Sequence, residues 1–95
     1  FYDTVGGRWN RRGDYVLADA GHLAGLLERP TLVCGELSVE LRATLKASAA
    51  DRAILASEAS AVRRAGFLAE LAWERLERGE RDDPASLAPI YLQSV

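Results

Sequence analysis

Short, mostly apolar runs alternate with segments of helical periodicity in this sequence, and this alternation constrains the fold more than any other feature. The runs "TLVC" at 31–34 and "AILA" at 53–56 have the length and residue types of strands. Chains that alternate short strands with short helices build layered α/β folds rather than helical bundles. The sequence therefore predicts an α/β fold in which residues 1–95 form a single domain.

The first of these runs ends at Gly35 and shows no alternation of polar and apolar residues. This pattern is typical of a strand that is covered on both faces of a sheet. Cys34 is the only cysteine, so no internal disulfide can form. Its apolar setting predicts a buried, unreactive thiol in a reducing compartment.

Two β-favouring runs open the chain on either side of Gly6 and Gly7. A Gly-Gly pair supplies the positive φ angles that a tight hairpin turn needs. We expect the hairpin arms at residues 1–5 and 8–9, and a resumption of the second arm at 15–17 stays open.

Two short helices are predicted from their capping residues. Asp19 can cap a helix that must stop before Pro30, and Ser38 can cap a second helix that includes Leu45. His22, in the first of these helices, has no cysteine or second histidine at a ligand spacing. It is therefore expected at the surface or partly buried, and not as a metal ligand.

The longest predicted element is a helix that begins at Ser57 or Ser60 and ends at Gly79. At 100° per residue its small apolar residues share one side, which is expected to lie close to a sheet: Ala65, Leu68, Ala69, Ala72 and Leu76. The polar side contains one misplaced aromatic residue, Phe67, flanked by Leu71 and Trp73. These three residues are the predicted partner contacts.

Charge and hydropathy exclude several functions. Acidic residues number 14 and basic residues 12, so the domain lacks the positive footprint that direct nucleic-acid binding requires. No run approaches the roughly 20 apolar residues of a membrane span, which predicts a cytoplasmic protein. The chain begins at Phe1 without methionine, and this predicts a domain cut from a longer chain.

The sequence contains no recognised catalytic or metal-binding motif: no HExxH, CxxC, GxSxG or GxxxxGK[ST] occurs. Three acidic residues, Glu80, Asp82 and Asp83, follow the long helix among arginines. Paired carboxylates that act as acid and base need a shaped, desolvated pocket, whereas a charged run just past a helix is usually a solvated turn. No catalytic, cofactor-binding or metal-binding residue is predicted.

The tail carries the most distinctive pattern in the chain: Gly79, Asp83-Pro84, Leu87, Pro89 and "IYL" at 90–92. It resembles the C-terminal signature "G…DP…L.P.YLR" of TsaB, the bacterial tRNA threonylcarbamoyladenosine biosynthesis protein. The earlier segments "YD…GRW", "VLA…LAGLL" and "TLVCGE" follow the same order as in that family. Ala88 and Gln93 depart from its usual acidic residue and arginine.

This resemblance implies a partial actin-like lobe of the ASKHA (ribonuclease H-like) class, with a small mixed sheet, short helices and one long C-terminal helix. The chain would be the C-terminal lobe, without its N-terminal lobe. In that family the TsaB-like subunit is a non-catalytic, or degenerate, relative of its partner TsaD, and no cofactor is expected for this chain. TsaB-like proteins support the TsaD subunit in threonylcarbamoyl transfer to adenosine 37 of tRNA, with the TsaE ATPase as a further partner.

Two alternatives to a non-catalytic scaffold subunit stay open. The chain could be a lobe of an ASKHA phosphotransferase that binds nucleotide in a cleft between lobes. It could also be a homodimer that pairs through an exposed sheet edge. In each case Pro84 and Pro89 are expected to hold the tail extended, so that Leu87, Ile90 and Leu92 dock back onto the domain.

Overall fold

The computed structural model describes residues 1–92, which adopt an α/β fold of short elements. In chain order the elements are β1 (Tyr2–Val5), β2 (Arg8–Arg11), α1 (Ala20–Leu26), β3 (Thr31–Val33), α2 (Val39–Ser48), β4 (Ala53–Leu55), a 3₁₀ turn (Glu58–Ala61) and α3 (Ala65–Glu77). The α/β class predicted from the alternation is confirmed.

Strands β1 and β2 form the predicted hairpin. They pair antiparallel, with Tyr2 opposite Arg11 and Val5 opposite Arg8. Gly6 and Gly7 form the turn with φ angles of 59° and 77°, values that residues with a side chain rarely adopt. The second arm is longer than predicted, and no strand follows at residues 15–17.

Strands β3 and β4 pair parallel to each other, and α2 connects them. Within residues 1–92 the two strand pairs remain separate two-stranded sheets. Small sheets are therefore present as expected, but the predicted single mixed sheet is wrong. The hairpin and the parallel pair do not share a hydrogen-bonded edge, and residues 12–19 between them form no further strand.

Both short helices begin at the predicted caps. The Asp19 Oδ1 atom accepts a hydrogen bond of 2.8 Å from the backbone N–H of His22. The Ser38 Oγ atom accepts one of 3.1 Å from the backbone N–H of Leu41. Each bond satisfies a donor that the first turn of a helix leaves free, which explains why α1 and α2 start where they do.

The core lies between these helices and one face of the parallel strands. Within residues 1–92 the fully buried apolar residues all belong to α1, α2 or the residue that follows each: Ala24, Leu27, Leu45 and Ala49. Val33 and Leu55 pack against them from the sheet. The Arg52 guanidinium adds a hydrogen bond of 2.9 Å to the Leu27 carbonyl and so joins the start of β4 to the end of α1.

The opposite face of the parallel strands is bare. Leu32 and Ile54 sit side by side in the strand register and are 58% and 54% exposed. The prediction of a strand covered on both faces is therefore wrong. Cys34 is exposed as well, so the predicted buried thiol is also wrong. Both errors have one cause: the helices of this chain cover only one side of the sheet.

The long helix is shorter than predicted at its start and ends where predicted. Ser57 caps only the 3₁₀ turn, and residues 62–64 are extended before α3 begins at Ala65. The β-branched Val62 disfavours helical backbone between the two segments. At the other end Gly79 has a φ of 80°, and its N–H donates a 2.9 Å hydrogen bond to the Leu76 carbonyl.

Helix α3 stands apart from the rest of the molecule. Every residue from Ala65 to Glu77 is exposed, so the prediction that its alanine-rich side packs on a sheet is wrong. The radius of gyration is 15.8 Å, whereas a compact domain of this length would have about 12 Å. The difference reflects an arm that extends from a small body.

Candidate interaction surface

The exposed apolar surface of α3 is the most prominent feature that could act on another molecule. Five large side chains, each between 44% and 71% exposed, contribute to it: Phe67, Leu68, Leu71, Trp73 and Leu76. By helical geometry they span well over half of the circumference. A helix that is apolar on most sides is normally buried among other elements, so α3 has the composition of a helix with a partner on more than one side.

The structure places the three predicted contact residues on two different sides of this helix. Phe67 and Leu71 are four residues apart and therefore lie on one side, a turn apart. Trp73 lies about 160° around the axis from Leu71. Phe67 and Leu71 can therefore contact one partner together, while Trp73 faces elsewhere.

Charged residues lie beside Phe67 and Leu71 on α3. The guanidinium carbon of Arg64 lies 5.9 Å from the centroid of the Phe67 ring, within the range of a cation–π contact. On the adjacent arc of α3 lie Glu70 and Glu74, which form no ion pair within residues 1–92. A partner that meets this side would complement it with an apolar patch flanked by lysine or arginine.

The charged run after α3 forms an ion cluster at the surface. The Arg75 Nε atom donates to Glu80 over 3.1 Å, and the Arg78 Nε atom donates to the same carboxylate over 2.7 Å. Arg75 also approaches Asp82 at 3.4 Å. The hydrogen bond from Arg78, followed by that from Arg75, lowers the pKa of Glu80, and the bond to Glu80 raises the pKa of Arg75.

This cluster joins the end of α3 to the start of the tail. Its members are exposed to solvent, so it lacks the desolvated pocket in which a carboxylate becomes a useful acid at neutral pH. The prediction of a charged surface turn is confirmed.

The tail does not dock as predicted. Leu87 and Ile90 are 67% and 66% exposed, and residues 88–92 make no backbone hydrogen bond within the described part of the chain. Leu92 alone approaches the body, at a groove that Phe1 and Leu23 also line. The Asp83 backbone carbonyl accepts a 2.9 Å hydrogen bond from the Leu87 N–H, which closes a turn at the start of the tail.

An open cleft of about 380 Å³ lies at the carboxyl ends of β3 and β4, where α/β proteins commonly bind ligands. Its lining residues come from the two loops that follow these strands and from α2: Glu36, Leu37, Ser38, Val39, Arg42, Glu58, Ala61 and Val62. The Arg42 guanidinium donates to the Ala56 carbonyl over 3.1 Å, and Glu36 pairs with Arg63 at 3.0 Å. The Glu36 and Glu58 carboxylates are matched by the guanidinium groups of Arg42 and Arg63, so the cleft has no excess positive charge that would attract a phosphate.

Three further findings concern His22, metal-binding side chains and membrane spans. His22 is exposed on α1. No group of three or more metal-binding side chains comes together among residues 1–92. None of the helices in this part of the chain combines the length and apolar character that crossing a bilayer would need.

Sequence reasoning missed how much of α3 is apolar and exposed, although a signal for it was present. At 100° per residue the large apolar side chains occupy one continuous arc of about 240°, from Phe67 through Leu71, Leu68 and Leu76 to Trp73, and this leaves little polar surface. An apolar arc wider than one sheet can cover indicates a helix that needs more than one neighbour.

No protein-family model, no curated protein and no solved structure matches this chain.

Proposed function

We propose that this chain is a non-catalytic interaction lobe, the C-terminal lobe of a TsaB-like subunit with a partial ASKHA fold. It would support a TsaD-type subunit in forming N6-threonylcarbamoyladenosine at position 37 of tRNA, with a TsaE-type ATPase as a further partner, in the cytoplasm. The observation that carries the proposal is the exposed apolar surface of α3. The resemblance of the tail to the C-terminal signature of TsaB suggests which proteins the partners are.

The mechanism of such a lobe is physical. Burying the exposed parts of the Phe67 and Leu71 side chains against a partner removes apolar surface from water, and the contribution of each is at most about 1.5 to 3 kcal/mol, the range for a large side chain that is fully exposed beforehand. Aromatic side chains that become fully desolvated dominate the energy of protein interfaces. Glu70 and Glu74 lie beside this patch and would select a partner with basic residues at the matching positions.

Co-purification of the full-length parent with a TsaD-type protein tests this function. Replacing Phe67 and Leu71 together by alanine is expected to weaken the association at least about tenfold, since each truncation removes a central apolar contact. Leu87→Ala is the matched control: Leu87 is similarly exposed but lies in the tail, and its replacement is expected to leave the affinity unchanged. Absence of association at every salt concentration would refute the proposal.

The alternative is a lobe of an ASKHA-type nucleotide-binding phosphotransferase. The cleft at the carboxyl ends of β3 and β4 favours it, whereas the balance of the Glu36 and Glu58 carboxylates against Arg42 and Arg63 leaves no excess positive charge there for a nucleotide phosphate. A thermal shift with ATP and magnesium separates the two functions, because a ligand that binds the folded state raises its melting temperature. The interaction lobe predicts no shift, and a clear rise would favour the phosphotransferase.

A further inference from the structure

A groove of about 280 Å³ lies between the β1–β2 hairpin and α1. Most of its lining is aromatic or aliphatic: Phe1, Tyr2, Tyr15, Val16, Leu23 and Leu26. Tyr2 and Tyr15 are both exposed over about half of their surface, so the groove is open to solvent along one side. A concave surface with this lining fits an aliphatic side chain better than a charged one.

Polar contacts connect the walls of this groove to each other. The Asp3 carboxylate of β1 pairs with the Arg29 guanidinium at 2.6 Å, which joins the hairpin to the segment that follows α1. The guanidinium carbon of Arg11 in β2 lies 4.4 Å from the centroid of the Tyr15 ring, a cation–π contact that brings the segment after β2 against the hairpin. The walls are therefore held by residues other than the one that enters the groove.

The tail of the same chain places one side chain against this groove. Leu92 lines it together with residues of the hairpin and α1, although these lie at the opposite end of the sequence. Leu92 is 48% exposed, whereas Leu87 and Ile90 are 67% and 66% exposed. Leu92 is therefore the best covered of these three side chains, and the groove is what covers it.

The backbone of the tail is suited to present a single side chain. Pro89 has a fixed φ angle and no N–H, so the chain around it is disfavoured from forming a helix. Residues 88–92 make no backbone hydrogen bond within the described part of the chain, so no strand pairing attaches them to the hairpin. The contact with the body therefore depends on the Leu92 side chain.

We propose that this groove is the binding site for the tail of its own chain, and that Leu92 is the anchor residue. The contact consists of an aliphatic side chain in an apolar groove, so it requires no charged group of the tail. Because the tail is covalently tethered, its concentration near the groove is about millimolar, and one anchor can hold a contact that separate molecules would rarely make.

This anchor gives α3 a second attachment to the body. At the start of the helix, Arg63 pairs with Glu36 at 3.0 Å. Beyond its end, the ion cluster joins α3 to the tail, and Leu92 returns the tail to the hairpin. Held at both ends, α3 presents Phe67 and Leu71 in a limited range of orientations. The anchor goes beyond the proposed function, because it concerns how α3 is held and not which partner binds it.

NMR spectroscopy of the isotope-labelled 95-residue chain tests the proposal. We expect nuclear Overhauser contacts between the Leu92 methyl groups and the side chains that line the groove. Leu92→Glu is expected to shift the amide signals of the groove and to increase the mobility of the tail, because a carboxylate is not tolerated in an apolar groove. Ile90→Glu is the matched control: it puts the same charge into the tail at a residue outside the groove, and it is expected to change neither.

A synthetic peptide provides a second readout. The nonapeptide "PASLAPIYL", residues 84–92, is added at millimolar concentration to the Leu92→Glu chain. It is expected to move the groove signals back toward their wild-type positions. The same peptide with glutamate in place of its last leucine is expected to move none of them. Unchanged signals of the buried Leu45 in the Leu92→Glu chain verify that this variant is folded.

Four results would overturn the proposal. The first is a wild-type chain without Overhauser contacts between Leu92 and the groove. The second is an equal effect of Ile90→Glu and Leu92→Glu, and the third is a leucine peptide that acts no differently from its glutamate control. The fourth is a contact that disappears on dilution, which would mean that the groove takes the tail of a second copy. Since none of these measurements involves a TsaD-type protein, this proposal and the proposed function can fail separately.

Discussion

At the scale of single residues, the distinguishing feature of this chain is its exposed apolar side chains and not its titratable ones. An isolated exposed aromatic residue is ordinary on a protein surface, but a contiguous group is not. Phe67 and Leu71 form such a group with Leu68 on α3, and each side chain is at least 59% exposed, so covering the group would remove a large apolar area from water. The titratable residues, by contrast, lie at or near the surface, where some form ion pairs and others, such as Glu70 and Glu74, form none within residues 1–92. The informative side chains are therefore the apolar ones.

The ion cluster after α3 leads to a prediction about pH. Hydrogen bonds from Arg78 and then Arg75 lower the pKa of Glu80 in the folded state. The stabilisation is therefore fully present above the pKa that Glu80 has when unfolded, and it is lost as the pH falls through the lower folded-state pKa. We expect the last turn of α3 to fray over that acidic range, measurable from amide shifts in an NMR titration.

Two arginine variants, one as the test and one as the control, can be measured in the same titration. Arg78→Ala removes the largest cause of the shift, so the titration midpoint of Glu80 is expected to rise toward its ordinary value. Arg81→Ala removes an equal charge from a residue that forms no ion pair within residues 1–92, and it is expected to leave the midpoint in place. Equal midpoints in Arg78→Ala and the wild type would contradict the assigned cause.

At the scale of the elements, the sequence correctly predicted the features that depend only on residues close together in the chain, such as where a helix begins and ends. Asp19 and Ser38 cap their helices because the acceptor and the donor are three residues apart, and Gly79 ends α3 through its own backbone angle. The exposure of Cys34 and of α3 depends on elements that would have to pack from elsewhere. Periodicity shows which side of a helix is apolar, but it does not show whether anything covers that side.

Ser38 provides the prediction at this scale. Its Oγ atom satisfies the Leu41 N–H at the start of α2, and α2 carries the fully buried Leu45. Ser38→Ala removes this hydrogen bond and is expected to reduce the free energy of unfolding by about 1 kcal/mol, measured by urea denaturation. Ser48→Ala makes the same change in the last residue of α2. The Ser48 backbone carbonyl, and not its side chain, accepts the hydrogen bond from Arg52, so the substitution leaves this bond in place. A loss as large in Ser48→Ala as in Ser38→Ala would contradict a capping role.

At the scale of the whole molecule, a small core supports a large exposed area. The fully buried residues within 1–92 form a single cluster around Leu27 and Leu45, and α3 adds nothing to it. A domain of this size is only marginally stable even when it is compact. An additional interface would therefore contribute a large share of the stability of the assembled protein. Its contribution would depend on protein concentration, whereas that of the core would not.

Leu45→Ala separates these two contributions. Leu45 is completely buried, so its truncation leaves a cavity and is expected to cost roughly 2 to 5 kcal/mol, which lowers the melting temperature by about 10 °C or more. Because the core belongs to each chain, the loss is expected at every protein concentration. Leu87→Ala, in the exposed tail, is expected to change the melting temperature by little.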